Sequence, residues 1–448
     1  MNDQKDFKEI QLHLKETGFV FQGSEIYGGL ANTWDYGPMG VLLKKNIQQL
    51  WWKEFITKEP NNYGLDSKIL MNPEVWVASG HVSSFSDPLI ENKVNGKRYR
   101  ADHIIEAQDS LLNAEAMSKQ EMQLFIQENI KEYDGAKTNW TDIREFHLMF
   151  ETHQGVLVDN KSKVFLRPET AQGIFMNFKN VMRTTRAKLP MGIGQVGKSF
   201  RNEVTPGNFT FRTREFEQME LEVFVKPGDD EQMHSYYLDK VQKFTKDLGI
   251  KVESIKTRIH DQDELAHYSK ATTDIEFMFP FGWGELLGVT NRTDFDLKTH
   301  MKHSGINLEY RDPITNETFI PYVIEPSIGL DRMTLATLVD AYELDGERIV
   351  LKLDKKIVPY KVAVLPLNKK FHAETAKIIF NKLIDTGIEA TYDAAGSIGK
   401  RYRRQDAIGT PICLTIIDET QTQDKATIRH RDSMKQEDIL VLDLNKYI

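Results

Sequence analysis

Cysteine is all but missing: Cys413 is the single one among 448 residues. That excludes an internal disulfide and any multi-cysteine zinc site, so no zinc is expected. No run of eighteen apolar residues occurs, and the opening MNDQKDFKEIQLHLKE is too polar for a signal peptide. The chain is therefore expected to be cytoplasmic, with no membrane partner. Basic excess is lacking too, since the net charge is −8 and the pI near 5.9. A charge-driven, non-specific nucleic-acid binder is excluded on that ground, although a local basic surface can still meet RNA phosphates. Internal repeats and low-complexity tracts are absent as well. What is there is ordinary globular composition, 40% hydrophobic and 28% charged with mean hydropathy −0.47. At this length more than one domain is expected.

The most informative stretch runs from Lys198 to Phe224, KSFRNEVTPGNFTFRTREFEQMELEVF. Thr205-Pro206-Gly207-Asn208 is a turn cluster, and both flanks alternate as strands do. Met219, Leu221, Val223 and Val225 share one face, which should meet the core. Arg214, Phe216, Gln218 and Glu220 share the other, and Arg201 and Glu203 share a face of the near strand. If the faces coincide, guanidiniums, a ring and carboxylates form a floor for a ligand with phosphates, a flat ring and an amine. The alternative is a solvated face of cross-strand charge pairs. The ring among the charges, and Arg rather than Lys, favour the ligand floor.

Elsewhere the chain suggests a short amphipathic helix at 5–17 and a helix opening at Pro38. A polar, loosely patterned region at about 86–165 reads as an insertion, with a helix-like tract from Asp109 to Tyr133. Within it, KRYRADH (97–103) reads as a solvated basic loop. VFLRPETAQGIF (164–175) is strand, break, then helix, with Glu169 at the helix start. Glu285 sits within an apolar strand-like stretch, where an unpaired carboxylate is costly. YVIEPSIGLDRMTLATLV (322–339) reads as strand, Pro-Ser-Ile-Gly turn, then helix. Arg332 falls in that helix's first turn, where the dipole opposes a cation and calls for a negative partner. After about 356, strands alternating with helices indicate a small α/β domain. KRYRRQD (400–406) reads equally as an RNA-contacting surface or as an exposed helix face.

Two features mislead. GIGQVGKS (192–199) spells a Walker loop and, within it, a dinucleotide fingerprint, yet no buried strand precedes it and no helix follows. His300 and His303 can share a helix face, but no third ligand accompanies them.

FRNE at 200–203 with the following FRTREFEQMELEVF resembles motif 2 of the class II aminoacyl-tRNA synthetases, and EPSIGLDR (325–332) resembles motif 3. Pro73 is a plausible end of motif 1. WDYGPMG, NPEVWVASGHV, RPETAQGIF, FPFGWGELLGV, TDFDLKTH and GSIGKRYRRQD are similar to the homodimeric glycyl-tRNA synthetases. The resemblance runs from about 18 to 440, in family order. It implies an α/β chain: an α+β catalytic domain (1–355) with an antiparallel sheet, flanking helices and the 86–165 insertion, then a mixed α/β anticodon-binding domain (356–448). Where relatives carry a cysteine pair before KRYRADH, this chain has Asn92-Lys93-Val94-Asn95, which puts a metal knuckle in doubt.

Carried over by position, the resemblance implies that Arg201 and Arg332 are catalytic, on the α- and γ-phosphates of ATP. Asn202, Glu203, Phe211, Arg212, Arg214, Phe216, Leu286 and Gly329 would line the nucleotide site. Glu285 would stand beside ATP and Mg²⁺. Glycine would lie among Glu169, Gln218, Glu220, Glu325 and Ser327, with Arg100 reaching in from the insertion. The partners implied are glycine, ATP, the tRNA for glycine and a second copy of the chain. A paralogue acting on another small amino acid without tRNA, and an RNA-binding regulator with a dead site, are the rival readings. The C-terminal domain opposes the first; Arg201, Glu220 and Arg332 oppose the second.

Overall fold

In the computed structural model, which describes residues 6–109, 112, 114, 117–156 and 162–448, the hairpin stretch supplies two neighbouring strands of a seven-stranded sheet. Its order across the sheet is Ile255–Ile259, Ala271–Phe279, Gly282–Thr293, Tyr322–Gly329, Glu215–Val225, Met191–Phe200, Asn62–Gly64. Every pairing is antiparallel except the last, where Asn62–Gly64 runs parallel to Met191–Phe200. The period-two reading of the far strand holds. Met219, Leu221, Val223 and Val225 are buried in the main core, against the helices Pro38–Trp52, Asp230–Asp247 and Leu330–Ala341. The opposite face is covered only at one end. There Phe224 packs on Phe175 and Phe178 of the helix Ala171–Thr185. The rest of that face stays open, and the candidate site occupies it.

The glycine run at 192–197 lies inside the strand Met191–Phe200 and cradles nothing. It is small because other groups come close. A Cβ at Gly194 would meet Ile56 Cδ1 at 2.4 Å, and one at Gly197 would meet the Arg167 guanidinium at 2.3 Å.

Several local expectations need correction. The near strand ends at Phe200, so Arg201, Asn202 and Glu203 lie beyond it. Pro-Ser-Ile-Gly is no turn: the strand Tyr322–Gly329 runs through it and hands directly to the helix at Leu330, because those residues pair on both sides. In the insertion, KRYR is the strand Lys97–Arg100 and leads into the helix Ala101–Gln108. Within the Asp109–Tyr133 tract a helix forms over Lys119–Asn129, started by a Ser118–Glu121 capping box. Residues of this region have their own core, including Ile90, Ile104, Ile126 and Trp140.

Toward the C-terminus, Ala390–Tyr392, Val362–Pro366 and Ile412–Ile416 are parallel neighbours, followed by antiparallel Lys425–His430 and Gln436–Leu440. Asp406, fully buried, ties this sheet to the preceding chain. Its carboxylate accepts from Arg348 Nη1 at 2.9 Å and from both terminal nitrogens of Arg429 at 2.8 and 2.9 Å. Asp406→Ala leaves two buried guanidiniums without their shared anion. A loss of about 3–5 kcal/mol is expected, read as an earlier urea midpoint; an unchanged midpoint would refute the tie. Asp406 and KRYRRQD lie on the helix Ile398–Ile408. Arg401 is buried on the Pro366 carbonyl and Tyr402 bonds Thr415, while Lys400, Arg403 and Arg404 stay exposed.

Candidate active site

The open part of the sheet face holds a cleft of about 350 Å³. At one end lies a cluster of carboxyl groups. Glu220 is buried at the N-terminal end of the helix Ala171–Thr185, accepting from the Thr170 backbone N–H at 3.1 Å and from the Thr170 hydroxyl. Its other oxygen accepts from Gln218 Nε2 at 2.7 Å and Ser327 Oγ at 3.0 Å. Glu169 accepts from Gln172 at 2.8 Å and faces His81 Nε2 at 3.6 Å. Glu325 accepts from Arg292 Nη1 at 2.6 Å.

Arg292 is the residue that sequence reasoning missed. It is 3% exposed, forks onto Asp296 at 2.8 and 2.9 Å, and lies 4.1 Å from the centre of the Tyr268 ring. Asp296 also accepts from Gln172, whose side-chain oxygen is bonded by His300; that histidine is thus a structural link. Glu222, next on the same strand face as Glu220, is fully buried, and among the described residues neither of its oxygens has a hydrogen-bond partner. Parity alone places it there.

Arg292 thus attracts Glu169, Glu220, Glu222, Glu325 and Asp296 at once. The charge imbalance appears in their acidities. Burial, then Glu169, raises Glu220; burial, then Glu325, raises Glu222 well above the carboxylate range. Burial, against the pull of Arg292, pushes Glu325 up to about 8. Glu169 goes the other way: burial pushes it up, but His81, Arg292 and Gln172 together hold it well below the usual range. Such a cluster is short of positive charge and suited to an ammonium ion.

The other end carries rings and guanidiniums. The Arg201 guanidinium lies 5.5 Å from the Phe216 ring and 5.4 Å from Phe85, and its Nε donates to the Pro168 carbonyl at 3.2 Å. Among the described residues no carboxylate pairs with it. Arg332 lies 4.3 Å over Phe211, donating to the Phe211 carbonyl at 3.2 Å and to Glu285 Oε2 at 3.1 Å. The negative partner required by the helix dipole is therefore Glu285. That carboxylate is not sealed among apolar groups: its side chain is 55% exposed to the cleft. Enclosure by the cleft walls pushes its acidity one way, yet Arg332 prevails and holds it below the usual value. Glu203, Arg212, Leu286 and Gly329 complete this wall.

Three expected residues are elsewhere. Arg100 is held by Asp87 at 3.2 Å and Asp102 at 2.5 Å and does not line the cleft. Arg214 precedes the first strand residue, Glu215, so strand parity does not apply to it, and it lines a separate cavity beside Trp34 and Lys198. Asn202 lies outside the lining and donates its backbone N–H to Leu148 at 2.7 Å.

Residues 150–342 match the tRNA synthetase class II core domain (G, H, P, S and T), and residues 361–448 match the anticodon binding domain. The glycine--tRNA ligase of Mycoplasmopsis synoviae is 57% identical, covering all of both chains. That of Alkaliphilus metalliredigens is 54% identical over 100% of this chain and 99% of its own. Giardia lamblia prolyl-tRNA synthetase in complex with prolyl-adenylate superposes with a TM-score of 0.67 at 15% identity, covering 98% of this chain and 75% of that one, which shows a shared fold. The chain belongs to the glycine--tRNA ligase family of class II tRNA synthetases.

Proposed function

We infer that this cleft is where the chain acts as a glycine--tRNA ligase, taking ATP as substrate and carrying glycine to tRNA. The observation that carries the residue roles is the juxtaposition of a carboxyl-rich pocket with an aromatic–guanidinium wall. The ammonium of glycine sits among Glu220, Glu325 and Glu169, favouring loss of the protons that crowding holds on Glu220 and Glu325. Ser327 and Gln218 fix Glu220 for that contact. Adenine lies on Phe216, and Arg332 with Arg212 meets the outer phosphates.

Arg201, free of any carboxylate among the described residues, offers its fork to the α-phosphate. One oxygen of the glycine carboxylate attacks the α-phosphorus, the bond to the bridging oxygen breaks, and pyrophosphate leaves. The terminal ribose hydroxyl of tRNA then attacks the adenylate carbonyl and AMP departs. Neither step requires a protein nucleophile; placement and charge stabilisation suffice.

Magnesium fits to a limited extent. No group of three or more His, Cys, Asp or Glu could hold a metal among the described residues. A magnesium ion accompanying ATP needs only one or two carboxylates beside the phosphates; Glu285 would hold it, and it would neutralise phosphate charge. Dimerisation is proposed too, supported by Ile26 and Tyr27, 89% and 87% exposed. No helix among the described residues is long and apolar enough to cross a membrane, and tRNA as substrate supports a cytoplasmic location.

The test is glycine-dependent exchange of labelled pyrophosphate into ATP. Exchange is expected with glycine and not with alanine or serine; equal rates with all three would refute glycine specificity. Glu220→Ala should raise KM for glycine roughly ten- to hundredfold, as expected for a lost charged hydrogen bond, with KM for ATP little changed. An equal rise in both would undo the amine pocket.

A further inference from the structure

One row of the sheet runs through the cleft with a gap in its middle. Glu220 is paired with Ser327, Ser327 with Gly288, and Gly288 with Asp274. Residues in register across neighbouring strands share a face, so all four positions look into the cleft, and all four line it. Strands lie about 4.8 Å apart. Asp274 is therefore roughly 10 Å from Ser327 and about 14 Å from the Glu220 carboxylate's strand, with Gly288 as bare floor between. The gap is required, not incidental: a Cβ at Gly288 would meet Asp274 Oδ1 at 2.8 Å. That oxygen thus leans over the glycine toward the amine pocket. Its companion, Oδ2, is held by His260 Nε2 at 2.6 Å. Among the described residues no donor takes Oδ1.

A carboxylate oxygen so placed accepts a hydrogen bond from whatever lies over Gly288. Phosphate is repelled from it. The ammonium of glycine has its own pocket two strands away. The adenine amine travels with the ring, and Phe216 is four residues along the strand from Glu220, roughly 13 Å. Of the donors on the substrates, the ribose hydroxyls remain. We propose that Asp274, oriented by His260, accepts a hydrogen bond from a ribose hydroxyl lying over Gly288. This rests on the cleft's reading as the ATP and glycine site. Two riboses bring that chemistry, that of ATP and that of the tRNA terminus.

The experiment compares, in the full chain, exchange with ATP against 2′-deoxy-ATP and 3′-deoxy-ATP, and charging of tRNA ending in adenosine against 2′-deoxyadenosine. The unaltered chain should prefer the hydroxylated partner about tenfold or more, the range of a hydrogen bond to a charged group. Asp274→Ala should bring that preference close to one. Collapse in the exchange arm assigns the ATP ribose, and collapse confined to the charging arm assigns the tRNA ribose. A preference unchanged in both arms overturns the proposal. Each ratio is taken within one preparation, so a partly misfolded sample does not alter it. Gly288→Ala, which displaces Oδ1 while keeping the carboxylate, should lower the same preference; full retention would count against the geometry. Absence of glycine-dependent exchange in the unaltered chain would instead overturn the underlying reading of the cleft.

Discussion

Arg292→Met is expected to abolish glycine-dependent exchange and to destabilise the chain by about 3–5 kcal/mol, the range for removing one side of a buried ion pair. Arg292 bonds Glu325 and Asp296 directly and attracts Glu169, Glu220 and Glu222. Methionine fills similar space but leaves those groups to repel one another. They can escape only by taking up protons. Protonation in turn removes the charge proposed to hold the glycine ammonium, so KM for glycine should climb even in molecules that stay folded.

The pH dependence has a definite sign. Glu325 is raised from 4.5 to about 8 in the folded chain. A group raised by folding contributes stability that is fully present below its unfolded value and is lost as pH rises through the folded one. Without Arg292 the Glu220, Glu222 and Glu325 carboxyls lose an attraction that lowers them and rise further, so the variant's deficit should be mild at pH 6 and severe at pH 8.5. Urea unfolding at the two pH values checks this. A deficit that is equal at both, or larger at pH 6, would show that Arg292 does not hold the cluster electrostatically.

Arg292 also marks where reading the sequence stops working. Period-two alternation assigned Met219 to Val225 and their opposite face correctly because that strand is regular over Glu215–Val225. Arg292 keeps the parity of Gly288 and Thr290 and lines the cleft with them, but the register shift between Asn291 and Thr293 obscures from sequence where that strand stops. The hint available was chemical: several buried carboxylates need a cation, and Arg292 is four residues before Asp296 in what becomes a bulge leading to a helix. Arg332 was legible for the opposite reason. A cation in the first turn of a helix needs an anion, and Glu285 supplies it. Arg214 and Arg100 were misplaced because parity was extended past a strand end in one case, and because the partners Asp87 and Asp102 compete for the guanidinium in the other. The row from Glu220 to Asp274 joins the hairpin Ala271–Phe279 and Gly282–Thr293 to two strands distant in sequence, and only the folded sheet brings it together.

Arg201→Ala should lower kcat for exchange about 10²- to 10³-fold, the range for removing one preorganised donor from a developing charge, with a much smaller change in KM for ATP. The asymmetry follows from geometry. In the proposed arrangement Phe216, Arg212 and Arg332 would hold the ring and the outer phosphates in the ground state. Arg201 is anchored by the Pro168 carbonyl through Nε and braced over Phe216 and Phe85, which leaves both terminal nitrogens for the α-phosphate. Negative charge at that phosphorus is greatest as the glycine oxygen arrives and pyrophosphate departs, so the interaction strengthens on the way to the transition state. Arg201→Lys restores the charge but neither the fork nor the brace across two rings, and should recover only part of the rate. Steady-state exchange kinetics of both variants decide the matter. A rise in KM for ATP with kcat unchanged would make Arg201 a binding residue alone, and full recovery by lysine would show that charge, without the two-pronged geometry, is all the reaction uses.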